Sequence, residues 1–352
     1  MSLTRTNPDP ILTRDLIRRG FFDGERLCLM DVGASGGIEN TWDVFKNHRR
    51  VFGFEPLIAE AQRLAANNQE PDVEYINAFV GYAPYAELLE NDLARQREAV
   101  GGVVPSNQPF PRTSATLAIE VAKINYVEDY FNRGQEEKYA GEKFSLDEFV
   151  RDRDISSVDF IKIDTDGSDY EVLLGARDML DSTQVLGLSV ECQFHGAVSR
   201  QANLFSNIDL FLRERGFSLF DIDLWRYTRA ALPGRFVYDI PAQTHQGQIM
   251  WGEALYLRDL GDDTYEEQWK TAFSTEKILK LFCFFEIFGL PDCMAELLFK
   301  HEQNLKELGL FKDLIGLLSP SFNGQKISFD RYREEFSKFV RQRKFLKFPG
   351  FD

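Results

Sequence analysis

Cysteine and histidine are both scarce, four of each in 352 residues. The cysteines (Cys28, Cys192, Cys283 and Cys293) show neither CxxC spacing nor a neighbouring histidine pair. That argues against a zinc site or a disulfide framework and for small core residues in a reducing compartment. Basic charge is also short: 41 Lys and Arg stand against 56 Asp and Glu, a net charge of −15. Nothing overall would displace counterions from phosphates, so no nucleic-acid partner is expected. The same charge favours solubility. No apolar run approaches bilayer length, and the N-terminus lacks a basic-then-apolar signal. The expectation is a soluble, cytoplasmic protein with no transmembrane segment. Internal repeats and low-complexity runs are absent.

What is present is ample apolar material, 43% of the residues with 31 phenylalanines. The length accommodates one α/β domain and an appendage. The most informative stretch is VDFIKIDTDGSDYEVLLGA, residues 158–176. Val158, Phe160, Ile161 and Ile163 predict a strand buried on both faces of a parallel sheet. It ends in Asp164, Asp166 and Gly167, after which Val172, Leu173, Ala176 and Leu180 recur at helical spacing. Carboxylates at the carboxyl end of a buried strand are costly to desolvate unless a ligand uses them, and ligands bind at that edge in open α/β sheets. The plainer alternative is that Asp166 or Ser168 caps the helix that follows.

The remaining pattern alternates strand and helix at short spacing, as parallel βαβ units do. A short helix is expected over residues 11–19, then a strand over 27–32 (LCLMDV), the turn GASGG and a helix through Trp42 and Phe45. A strand over 51–54 ends in Glu55-Pro56, and a helix carrying Ile58, Ala61, Leu64 and Ala65 precedes a strand over 73–76. The run GGVVPSNQPFPRTSAT (101–116) reads as a long loop of the kind that often serves as a lid or binding segment. Ser114 and Thr116 within it are candidate contacts. Strands are further expected over 185–190, ending in Glu191, and over 217–222, 236–240 and 249–257, with a helix over 204–215. After residue 263 the composition turns helical, and 329–347 forms a basic amphipathic helix. The expected organisation is an N-terminal helical segment over 1–25, a catalytic domain over 26–262 and a helical extension over 263–352.

The turn after the first strand has Asp31, Gly33, Ala34, Ser35, Gly36 and Gly37. A dinucleotide fingerprint would need G-x-G-x-x-G, and here Ser35 and Ile38 break it. An S-adenosylmethionine site needs instead an acid near the amino group and a second acid on the ribose hydroxyls. Asp31 and Glu55 stand at the ends of the first two strands, and one carboxylate can accept from both ribose hydroxyls.

Taken together and in order, MDVGASGGIENTW, VFGFEP, FSLDEF, DFIKIDTDGSDYEVLLGA, VECQFHG, LFSNIDLFLRERGFSLFDI and GQIMWGEALYLRD resemble the FkbM family of S-adenosylmethionine-dependent methyltransferases. The resemblance runs over roughly residues 25–260. It implies a Rossmann-like class I methyltransferase fold, a seven-stranded mostly parallel sheet flanked by helices, with the C-terminal helices as an appendage. It also implies methylation of a hydroxyl on a saccharide or glycosylated small molecule. Carried onto this chain, it makes Asp31, Gly33, Ala34, Ser35 and Gly37 the cofactor turn, Glu55 with Pro56 the ribose end, and Asp164 the residue between cofactor and acceptor. Ser35 departs from the family's frequent asparagine, and Asp166 from its glutamate or glutamine.

A neutral hydroxyl is a poor nucleophile, so a base or a metal must help remove its proton. The candidates at the carboxyl edge are Asp164, Asp166, Glu191 and His195, with His195 the best suited near neutral pH. Asp164, Asp166 and Glu191 are alternatively a Mg²⁺ set, although no local ligand spacing supports a metal. Two other functions compete. A nucleotide-dependent oxidoreductase is disfavoured by the missing glycine and the lack of a Tyr-x-x-x-Lys pair. A catalytically silent module that docks a partner through its helical tail would bind cofactor weakly or hold no acceptor pocket beside Asp164.

Overall fold

The computed structural model describes residues 6–99, 142–227, 244–319, 321–322 and 325–342. The expected strand over 236–240, the loop with Ser114 and Thr116, and the end of the last helix lie outside these residues. The chain divides into two compact units, one of Asp23–Asp259 and one of Arg5–Phe22 with Leu260–Asp352.

In chain order the first elements are α1 (Ile11–Arg18), β1 (Leu27–Val32), a 3-10 helix (Asn40–Phe45), β2 (Arg49–Phe54), α2 (Ile58–Asn67) and β3 (Val73–Ile76). A two-stranded side ladder pairs β4 (Phe79–Val80) with β5 (Lys143–Phe144), and α3 (Tyr85–Ala99) follows β4. Next come α4 (Leu146–Asp152), β6 (Phe160–Ile163), α5 (Asp169–Leu174), α6 (Met179–Ser182) and β7 (Gly187–Gln193). The unit closes with α7 (Phe205–Arg213), β8 (Phe217–Tyr227) and β9 (Gln248–Arg258).

The strands form one seven-stranded sheet in the order β3-β2-β1-β6-β7-β9-β8. All neighbours from β3 to β7 run parallel, while β9 is antiparallel to both β7 and β8. This is the Rossmann-like class I methyltransferase arrangement that the resemblance implied. The chain winds outward from β1 to β3 and then returns to β6 on the other side of β1. The crevice between the carboxyl ends of β1 and β6 is therefore the switch point where such sheets take ligands.

Alternation along the strands divides the two faces. Cys28, Met30, Val32, Phe52, Phe54, Ile161, Ile163, Val190 and Tyr256 fall in one buried cluster with Phe149, Leu173 and Phe211 from the helices. Each such fully buried apolar side chain contributes roughly 1.5–3 kcal/mol. The segment FSLDEF nucleates α4 through a capping box, in which the Ser145 hydroxyl accepts from the Glu148 N–H and Glu148 accepts from the Ser145 N–H. The helix expected through Trp42 and Phe45 is instead a single 3-10 stretch. Asn40, Thr41 and Val44 are weak helix formers, and β2 begins at Arg49, which leaves little room for α-helical turns. Trp42 packs on Phe160 of the opposite sheet face, with ring centroids 4.8 Å apart.

In the second unit, α8 (Tyr265–Trp269), α9 (Thr275–Ile287), α10 (Pro291–Lys300), α11 (Glu302–Glu307), α12 (Phe311–Leu317) and α13 (Phe329–Arg341) join α1. Glu286 on α9 caps the first turn of α1 by accepting from the N–H groups of Leu12 and Thr13 and from the Thr13 hydroxyl, at 2.7–2.8 Å. No described helix is long and apolar enough to cross a membrane.

Candidate active site

Parallel register builds the site. Asp31 on β1 pairs with Lys162 on β6, and Lys162 pairs with Ser189 on β7, so the three occupy one row across the sheet. Two residues farther along, Glu191 on β7 lies opposite Glu253 on β9. Lys162 Nζ sits 3.5 Å from Asp31 and 3.4 Å from Asp164, with only 11% of its side chain exposed. One buried ammonium thus ties the tip of β1 to the tip of β6. Asp31, Glu39, Trp42, Phe160 and Lys162 line a small cleft.

The charges in this knot follow from its crowding. Burial alone would lower Lys162, but Asp31, then Asp164, Glu39 and Glu253, more than reverse it, and the lysine titrates above its ordinary value. Asp31 faces one ammonium and is almost fully enclosed, so burial wins there and its carboxyl is raised. At Asp164 burial pushes upward, yet the hydrogen bond with Glu191 and the Lys162 charge hold the carboxyl below its usual range. Burial and the bond to Asp164 drive Glu191 far above its own range. The two carboxyls are thus pushed in opposite directions, Asp164 toward its charged form and Glu191 toward its neutral one. Glu253 accepts from the Ser189 hydroxyl at 2.5 Å, and burial raises its carboxyl to about 7.

The glycine turn follows directly. Gly33 has φ +85°, and a Cβ there would sit 1.9 Å from the Asp164 carbonyl oxygen. The N–H groups of Gly33 and Ala34 both donate to the Phe54 carbonyl at 3.0 Å, which ties the turn to the end of β2. Gly36 donates to Glu60 at 2.9 Å, and Gly37 has φ +93°. Ser35 is exposed. Glu55, just past β2, is 5% exposed, and its Oε1 accepts from the Leu57 N–H at 2.8 Å. Burial raises this carboxyl too. Pro56 lies beside it, half-buried, and its carbonyl is held by Asn77 at 3.0 Å.

The loop after β6 is held differently from the capping alternative raised by the sequence. Asp166 is exposed with φ +54°, and Ser168 occupies the N-cap position without a side-chain bond. The work falls to Asp169, which accepts from the Thr165 N–H and hydroxyl at 2.9 Å and from Asn203 at 3.0 Å. Burial lifts Asp169 to about 6. His195, past the end of β7, is half-buried. Its Nε2 lies 2.7 Å from the Ile249 carbonyl, which can only accept, so that nitrogen carries the proton and Nδ1 is the one able to receive another. Among the described residues no group of three or more His, Cys, Asp or Glu side chains converges as metal ligands would. The structure thus joins Asp31 to Asp164, and Asp164 to Glu191, but leaves Asp166 on the surface.

Lys162, Ser189, Glu253, Asp169 and Asn203 are not singled out by the sequence. A lysine inside FIKI is the available signal, since an unpaired ammonium is expensive in a strand buried on both faces.

The raised acids make one prediction. Asp169, Glu253, Glu191 and Asp31 bind their protons more tightly folded than unfolded. Their contribution is complete below their unfolded values near pH 4 and is lost as pH rises through the folded ones. The melting temperature should therefore fall from about pH 4 to pH 7, each tenfold gain in proton affinity on folding being worth about 1.4 kcal/mol. Glu253→Gln keeps an acceptor for Ser189 and should flatten that slope in a melting series across pH. An unchanged slope would show that Glu253 does not titrate in this window.

Residues 31–219 match the profile of the Methyltransferase FkbM domain. The chain is 26% identical over 209 residues to the AMB antimetabolite synthetase AmbE of Pseudomonas aeruginosa, a match covering 54% of this chain and 9% of AmbE. The chain thus spans a small fraction of that relative's length. Among solved structures, a SAM dependent methyltransferase from Aquifex aeolicus aligns with a TM-score of 0.29 at 10% identity, covering 72% of this chain and 94% of the other. Magnesium protoporphyrin IX methyltransferase from Synechocystis, solved with bound SAM, gives a TM-score of 0.29 at 12% identity, with coverage of 70% and 78%.

Proposed function

The chain belongs to the FkbM methyltransferase family, and on that premise we propose that it methylates a hydroxyl of a saccharide or glycosylated small molecule, with S-adenosylmethionine as donor. The observation that carries this reading is the knot of Asp31, Lys162, Asp164 and Glu191 at the switch point.

The residues present fit the donor. Gly33 lacks the side chain that would block the turn, and Glu55 offers a second carboxylate oxygen beyond the one bonded to Leu57. Glu55 would accept from the ribose hydroxyls with Pro56 beside it, the turn of Gly33, Ala34, Ser35 and Gly37 would border the amino-acid end, and Asp31 would face the amino group. When bound, S-adenosylmethionine supplies an electrophilic methyl group on a cationic sulfur.

Asp164 is the proton acceptor in this scheme. It would receive the proton of the substrate's hydroxyl as that oxygen takes up the methyl group. Lys162 favours the ionised form of Asp164, and the hydrogen bond with Glu191 helps hold its carboxylate in place. His195 Nδ1 is the alternative acceptor. Good orientation alone is worth roughly 7–11 kcal/mol in such a displacement, and a positioned base adds about 10²–10⁴-fold.

The deciding test is calorimetric titration with S-adenosylhomocysteine, with NAD⁺ beside it, on wild type and Glu55→Ala. The expected result is micromolar binding of the homocysteine compound alone, at least about 10-fold weaker in Glu55→Ala because a charge-assisted bond to the ribose is lost. Wild-type affinity in Glu55→Ala, or binding of NAD⁺ instead, would overturn the assignment.

A further inference from the structure

The row that holds Asp31 and Lys162 extends in the other direction to Gly53 on β2 and Tyr75 on β3, all four in register. Glycine inside a strand marks a place where another group comes close, and here that group is the tyrosine. A Cβ on Gly53 would meet Tyr75 Cδ1 at 2.8 Å, Tyr75 Cε1 at 3.0 Å and the Ala34 Cβ at 3.2 Å. The phenol ring therefore lies over the bare backbone of β2 and against the start of the glycine turn. Its hydroxyl reaches the far end of that turn. It stands 3.4 Å from where a Cβ on Gly37 would be, and the Ile38 N–H donates to it. Burial raises the phenol, so the hydroxyl is neutral at ordinary pH and accepts that bond without a charge. Packing on Gly53 accounts for the ring. It does not account for a half-buried hydroxyl set on the turn, because a phenylalanine would cover the glycine equally well.

We propose that Tyr75 is a positioning residue for the donor turn, fixing the Gly37–Ile38 end so that the turn is already formed when the amino-acid end of S-adenosylmethionine arrives. This rests on the methyltransferase reading above and adds to it a residue that acts from the edge of the sheet without touching the methyl group. The two ends of the turn are held differently. Gly33 and Ala34 are tied to the Phe54 carbonyl by their own N–H groups. Gly36 and Gly37 have no side chains to stiffen them, and Gly36 is bonded to Glu60 on the exposed side. The Tyr75 hydroxyl supplies the hold from the sheet side. A turn left loose there would have to be ordered at the moment of binding, and that cost weakens the ligand. The loss falls on ligands that reach the turn, and a ligand confined to the nucleoside end by Glu55 escapes it.

The test is calorimetric titration of the full chain as wild type, Tyr75→Phe and Gly53→Ala with S-adenosylhomocysteine. Each is titrated also with methylthioadenosine, measured by displacement of the homocysteine compound. Methylthioadenosine keeps the nucleoside and the sulfur and lacks the amino-acid end. The expected result is that Tyr75→Phe binds S-adenosylhomocysteine about 2- to 10-fold more weakly, as the loss of one hydrogen bond implies, with methylthioadenosine bound as in wild type. Gly53→Ala, which drives the ring off the strand, should show the same selective loss, at least as large; if it does not fold, Tyr75→Phe decides alone. Wild-type affinity for S-adenosylhomocysteine in Tyr75→Phe would overturn the proposal. So would an equal loss for both ligands, since Tyr75 would then serve the nucleoside or the fold at large and not the turn. Either of those results leaves the methyltransferase reading standing, whereas wild type that binds neither compound removes that reading and this inference with it.

Discussion

Gly33→Ala should abolish S-adenosylhomocysteine binding and lower the melting temperature by about 10 °C, while Gly36→Ala should cost only a few degrees. Both glycines have φ +85° and both would strain an alanine, at about 1–2 kcal/mol each. They differ in what a Cβ would meet. At Gly36 nothing lies within 4 Å, whereas at Gly33 the Asp164 carbonyl oxygen is 1.9 Å away and its carbon 2.9 Å. That obstacle is backbone, held by the Asp164 N–H donating to the Val32 carbonyl at 2.9 Å, and cannot swing aside as a side chain would. Relief requires β1 and β6 to part, which adds roughly 1–3 kcal/mol or more of overpacking. It also separates Asp31 from Asp164 across Lys162. Thermal melts and calorimetry on both variants read the difference. Equal melting temperatures would mean that the turn relaxes freely and that the two strand tips are not held in fixed contact.

That dependence on glycine is partly legible in the amino-acid sequence. Apolar runs at 27–32, 51–54 and 158–163, each closed by acids or glycine, are enough to place Asp31, Glu55 and Asp164 at the carboxyl ends of adjoining strands. What strand periodicity does not carry is register. Nothing local to Lys162 says that it faces Asp31, because that pairing depends on how β1 and β6 align. Glu253 is subject to the same limit, since its neighbour Glu191 is 62 positions away and meets it only through the antiparallel return of β9. Asp169 is hidden for another reason. The acids of TDGSD look interchangeable as helix caps, and only Asn203, from a later loop, singles out Asp169. The strand expected over 217–222 continues to Tyr227, because Asp221, Asp223 and Arg226 break the apolar pattern while pairing with β9 runs on through register shifts between Leu219 and Asp221 and between Trp225 and Arg226.

Lys162→Met should damage stability and chemistry together, and pH should separate the two. The substitution keeps most of the stem's volume and removes the ammonium. Asp31 and Asp164 are then left facing each other with no cation between them. Breaking a buried pair in this way costs roughly 3–5 kcal/mol. Both carboxyls must titrate higher in the variant than in wild type, since Lys162 lowers each of them. An acid with a raised folded pKa contributes stability below its unfolded value and loses it as pH climbs through the folded one. The variant should therefore melt closest to wild type near pH 4 and fall progressively below it toward pH 8. Lys162→Met with Asp31→Asn removes one of the two stranded charges and should recover part of the loss at pH 8 but little at pH 4. The chemical consequence has the same origin. With Asp164 titrating higher than in wild type, turnover of any acceptor should fall, with its acid limb moved to higher pH and part of the rate regained in alkali. A melting deficit that stays constant from pH 4 to pH 8 would show that Lys162 stabilises through its aliphatic stem, and the charge relation between Asp31 and Asp164 would have to be abandoned.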